Sequence, residues 1–71
     1  MTAEEWIRTF AEEIGTTAPS QEEMDEILRL AGVAAHASER IAAPIACWLA
    51  GRAGISLVEA RATAEGLAAG S

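Results

Sequence analysis

Apolar residues recur at helical spacing in four stretches of this chain, and none of these stretches alternates as a strand would. In the first stretch Trp6, Ile7, Phe10, Ala11 and Ile14 share one face, which predicts a helix over 3–14 closed by Gly15 in the left-handed conformation. A loop over 16–19 follows. The second stretch puts Met24, Ile27, Leu28, Ala31, Ala34, Ala35 and Ser38 on one stripe and predicts a helix from after Ser20 to about residue 41. Gly32 interrupts it at a cost of about 1 kcal/mol relative to alanine, which points to a close backbone approach or a kink.

Pro44 lacks an N–H and disfavours helical geometry in the residue before it. Ala42 and Ala43 are therefore the expected break, with Pro44 in the first turn of a third helix that runs to about Ala53 and ends at Gly54. Ile45, Trp48, Leu49 and Arg52 form the larger face of this helix, and Ala43, Cys47, Ala50, Gly51 and Gly54 form a small-residue face. A helix that is apolar nearly all round is usually central. The fourth helix follows Ser56, carries Leu57, Ala60, Ala64 and Leu67 on one stripe, and is expected to fray over 69–71.

Three of the four starts are spelled alike, with a hydroxyl residue and a glutamate three positions on: Thr2 with Glu5, Ser20 with Glu23, and Ser56 with Glu59. Each can form a capping box, in which the hydroxyl accepts a free N–H of the first turn and the glutamate reaches back to the cap. The expected fold is a compact all-α bundle of four short helices in one domain, residues 1–71. The third helix is its central strut and the first helix seals one side.

Composition narrows the margin for such a fold. Of the 71 residues 51% are apolar, but 17 are alanines, so only 18 large apolar side chains and Cys47 are left to fill a core. A large side chain contributes roughly 1.5–3 kcal/mol when buried, against about 1–2 kcal/mol per residue for ordering the backbone. Close packing through small residues, or burial against a protein partner or a second copy, is the expected remedy.

The net charge of −6 is unevenly placed. Residues 1–30 hold eight acids against Arg8 and Arg29, whereas residues 31–71 balance Glu39, Glu59 and Glu65 against Arg40, Arg52 and Arg61. There is no lysine and no basic cluster, which argues against a nucleic-acid partner. The longest apolar or glycine run, 41–51, is too short for the ~20 residues of a membrane span. With one cysteine and no basic–apolar leader, a cytoplasmic protein is expected.

Candidate chemistry gathers in residues 34–52. His36 and Arg40 stand four apart and would share a face with Arg29 and Val33 if the second helix is unbroken. Together, with Arg52 as a further candidate, they can contact an oxyanion or nucleotide phosphate. The plainer reading is a solvated face, with His36 capping the next helix or Arg40 paired to a carboxylate of the first helix. Neighbouring acids such as Glu12 and Glu13 point about 100° apart on a helix and do not converge on a metal. Cys47 has no partner cysteine or adjacent base and reads as a small hydrophobe. No catalytic set and no cofactor are expected. Trp48 and Arg52, one turn apart, are spaced for a cation–π pair, and Trp6 and Phe10 for mutual packing. Both pairs read as core, but an exposed Trp48 would mark a protein–protein anchor.

The pattern A-H-x-x-x-R-x-x-A-P-x-x-x-[aromatic]-L-x-G, carried by Ala35, His36, Arg40, Ala43, Pro44, Trp48, Leu49 and Gly51, resembles a small bacterial helical domain family of unknown function. Trp6 and Ile7, Glu13 and Gly15, and the segment 28–31 extend the resemblance over most of the chain. Members are often labelled molybdopterin-guanine dinucleotide biosynthesis proteins, and similar segments occur beside a molybdenum cofactor guanylyltransferase. The resemblance implies a place in that pathway without a reaction, since the chain lacks the glycine-rich loop and metal-binding acids of a nucleotidyltransferase. The expected function is a non-enzymatic accessory or protein-interaction module that uses Pro44 and Trp48 for packing or docking. The alternative is a small-ligand or phosphate-binding domain using His36 and Arg40.

Overall fold

All three hydroxyl–glutamate pairs start helices in the computed structural model, which describes residues 1–70. The elements are α1 (Ala3–Glu13), α2 (Gln21–Ala37), α3 (Ala42–Ala53) and α4 (Leu57–Gly70), with no strand among the described residues. The all-α four-helix expectation holds. Two of the capping boxes are complete. The Thr2 N–H donates to Glu5 Oε1 and the Glu5 N–H to Thr2 Oγ1, both at 3.1 Å, and the Ser20 and Glu23 pair repeats this at 2.8 and 3.1 Å. At Ser56 one half is present, the Glu59 N–H donating to Ser56 Oγ at 3.1 Å. Gly15 (φ 80°) takes the left-handed geometry expected of it, and Gly54 (φ 72°), the expected end of the third helix, takes it as well. α4 continues through Gly70 instead of fraying at 69, and the rest of that expectation, Ser71, lies outside the described residues.

The second helix ends at Ala37, four residues earlier than its periodicity predicts. The backbone leaves helical geometry at Ser38 (φ −141°, ψ −101°), whose hydroxyl donates to the Ala34 carbonyl at 2.8 Å. A tight turn follows, in which the N–H groups of Ala42 and Ala43 donate to the carbonyls of Glu39 and Arg40. Ala42 and Ala43 are thus already helical. Pro44 is the third residue of α3, where a backbone N–H has no intrahelical acceptor, so its missing donor costs nothing there.

The helix with neighbours on both sides is α2, which packs against α3 and against α4. It replaces the third helix in the central position because it presents two adjoining arcs. Ile27 lies toward α3, where its carbonyl faces the Cys47 thiol, and Glu26 lies toward α4, where it meets Arg61. Leu30 sits between the two arcs and is only 3% exposed. It forms the core with Ala50 and Ala60, bordered by Ala46, Cys47 and Ala64. Leu28, on the predicted stripe, is 65% exposed instead. A methyl group at Gly32 would meet nothing within 4 Å, so no close backbone approach explains that glycine.

Nor does α1 seal the bundle. Ala11 is buried and Ile7 half-buried, and Glu4 and Arg8 border a cleft with Ala18, Pro19, Gln21 and Met24, which sets α1 beside the start of α2. It makes no extensive packing with α3 or α4. The molecule measures 39 × 23 × 18 Å, its long axis well beyond the ~25 Å of a 17-residue helix such as α2.

Candidate interaction face

α3 points its small side chains inward and its large ones outward. Ala46, Cys47 and Ala50 lie against α2, since small residues allow two helix axes to approach closely. The opposite face carries Ile41, Ile45, Trp48 and Leu49, all more than half exposed. Ile41, Pro44, Ile45 and Leu49 line a shallow, mostly apolar groove that Ser38 and Glu39 also border. Beside it the Arg52 guanidinium carbon lies 5.1 Å from the centre of the Trp48 ring, the cation–π pair expected from their spacing. Trp48 is 59% exposed, which reverses its expected place in the core.

A second aromatic surface stands on α1. The rings of Trp6 and Phe10 stack with centroids 5.1 Å apart and planes 16° from parallel. Their spacing predicted the pair, but both side chains are about half exposed, and Ile14 extends the same ridge.

The polar candidates are dispersed. His36 is exposed and lines an open groove between α2 and α4 with Arg29, Gly32, Val33 and Glu65. Arg40 lies in the turn before α3, exposed, outside that groove and without the expected α1 carboxylate. Arg52 is on Trp48. The face of α2 that holds His36 and Val33 adjoins α4, because α2 packs on two sides.

The ion network lies elsewhere. Arg61 Nε donates to Glu26 Oε2 at 2.8 Å and its Nη1 to Glu65 Oε1 at 2.9 Å, while Arg29 approaches Glu26 at 3.7 Å. The hydrogen bond from Arg61 holds the Glu26 carboxyl below the ordinary glutamate value, and the two carboxylates push the Arg61 pKa up. The Glu65–Arg61 half is an i,i+4 pair readable on a helix, whereas Glu26 is 35 positions from Arg61 and nothing in their spacing joins them. The Cys47 thiol donates weakly to the Ile27 carbonyl at 3.8 Å, and partial burial raises its pKa. That arrangement gives packing, not a nucleophile. Among the described residues no three metal-ligating side chains converge, and no helix is long and apolar enough to cross a membrane.

Fold and surface together define a small all-α module with an alanine core and uncovered apolar faces. The chain belongs to the DUF6457 family, a domain of unknown function whose profile matches residues 1–71. No curated protein and no solved structure matches it.

Proposed function

We propose that this chain is a non-enzymatic protein-interaction module that docks through the outer face of α3, with Trp48 as its anchor. The observation that carries the reading is the 59% exposure of Trp48 amid Ile45, Leu49 and the stacked Arg52. Tryptophan and arginine are the side chains most enriched where binding energy concentrates, and a contiguous apolar face on a soluble domain marks a contact surface. The resemblance of residues 35–51 to domains labelled for molybdopterin-guanine dinucleotide biosynthesis gives the reading its pathway. On it, the module serves molybdenum cofactor maturation through a larger protein.

Affinity capture from native extract with the intact chain and with Trp48→Ala, analysed by mass spectrometry, tests both halves. The expected result is enrichment of a molybdenum cofactor enzyme by the intact chain and its loss with the variant. Enrichment of no such enzyme removes the pathway, and a partner set unchanged by Trp48→Ala removes the anchor.

A further inference from the structure

We propose that the groove between α2 and α4 binds a small organic phosphate, its phosphate group held between His36 and Arg29 and its apolar body laid on Val33 and Ala37. The groove shares no residue with the outer face of α3, so the proposal does not rest on the docking reading.

Gly32 is the first argument. It stands inside α2 at a cost of about 1 kcal/mol relative to alanine, and no neighbour requires it, since a methyl group there would meet nothing within 4 Å. It does line the groove, three residues after Arg29 and four before His36. Residues at those spacings are neighbours on one face of a helix, and a helical side chain leans over the turn before its own. His36 therefore leans over the turn that contains Gly32, and any side chain at position 32 would stand between the imidazole and the guanidinium. The missing side chain leaves that place to a ligand.

Charge sets the sign of the ligand. The lining holds Arg29 and Arg61 against the carboxylate of Glu65, a positive excess in a chain of net charge −6, with the His36 imidazole beside them. The cleft between the starts of α2 and α4 is acidic by contrast, lined by Glu22, Glu23, Asp25 and Glu26 against Arg29. Glu65 takes a hydrogen bond from Arg61 at 2.9 Å, and Glu26 takes another from the same guanidinium at 2.8 Å, so these three groups answer one another. Arg29 approaches Glu26 only to 3.7 Å, and its side chain is 66% exposed, which leaves it able to turn to an incoming anion. Guanidinium and imidazole N–H groups are strong donors to phosphate oxygens. Arg29 thus takes the role beside His36 that the sequence suggested for Arg40, which lies outside the groove.

Phenyl phosphate is the probe and inorganic phosphate its comparison, both titrated into the full chain at one pH. His36 is the sole histidine, so its imidazole C–H signals in the NMR spectrum report on this groove. Phenyl phosphate is expected to shift them saturably with a Kd of about 1 mM or tighter, and inorganic phosphate to bind at least about tenfold more weakly. Arg29→Gln is expected to raise the Kd at least about tenfold, whereas Arg52→Gln, which alters the cation on Trp48, leaves it unchanged. Gly32→Leu puts a good helix former into open space, so circular dichroism is expected to show an intact fold while saturable binding is lost. The absence of a saturable shift overturns the site. An unchanged affinity in Arg29→Gln or in a folded Gly32→Leu variant, or an equal loss in Arg52→Gln, overturns it too. Equal affinities for the two phosphates overturn the role given to Val33 and Ala37.

Discussion

Arg61 of α4 places its Nε 2.8 Å from Glu26 Oε2 of α2, the one charged tie between these two helices among the described residues. Arg61 stays protonated at every accessible pH, so the carboxylate sets the pH dependence. Because the folded pKa of Glu26 is depressed, its contribution is fully present above the ordinary value of 4.5 and is lost as pH falls through the folded value. Glu5, lowered by the hydrogen bond from the Thr2 N–H, adds to the same trend. Urea midpoints measured from neutral pH down to about pH 3 are expected to fall below 4.5, less steeply for Glu26→Gln than for the intact chain. Equal slopes would show that the tie contributes nothing to folding.

Leu30 and Leu28 make opposite demands although they are two residues apart. Leu30→Ala empties the one well-buried large position among the described residues and is expected to cost about 2–5 kcal/mol, enough to threaten a domain this small. Leu28→Ala, on the exposed face, is expected to change stability by less than about 0.5 kcal/mol. Denaturant titration of the pair at one protein concentration separates them.

Gly32 and Gly54 also divide. Open space around Gly32 in the middle of α2 means that Gly32→Ala is expected to stabilise by about 1 kcal/mol. Gly54, at φ 72°, has the same open space but a left-handed backbone, and Gly54→Ala is expected to cost about 1–2 kcal/mol. Thermal unfolding reads both, as shifts of opposite sign.

α1 is expected to open on its own. Its caps hold it locally and little tertiary packing does, so its amides should exchange faster than those around Leu30 in dilute solution. Thr2→Ala should speed exchange in α1 by about fivefold, from the loss of about 1 kcal/mol of capping, without moving the global midpoint. Uniform exchange across all four helices at low concentration would show that α1 belongs to the common folding unit.

Helix starts, glycine stops and both ring pairs were legible in the sequence because each rests on contacts three or four residues apart. Thr2 with Glu5, Gly15, and Trp48 with Arg52 are of this kind. What failed was orientation. Periodicity states the composition of each face of α3 but not which face looks inward, and alanines won the inner place because they permit close axial approach. The same gap hid Leu30, since α2 serves two neighbours and its core residue lies between two stripes. The early end of α2 is not legible because neither proline nor glycine marks it, and the chain leaves helical geometry at an ordinary serine.

Ala46 and Ala50 stand four residues apart on the side of α3 that meets α2, so successive turns offer α2 nearly the same surface. Alanine has no rotamer with which to refuse a neighbour, and such a stripe would fit almost as well after sliding by one turn. The alignment of the two helices is therefore metered by the length of the turn at 39–41, with the Cys47 thiol on the Ile27 carbonyl as its peg. A residue added to or removed from that turn would reset where α3 sits along α2, and with it which side chains border the groove, while leaving both helices formed.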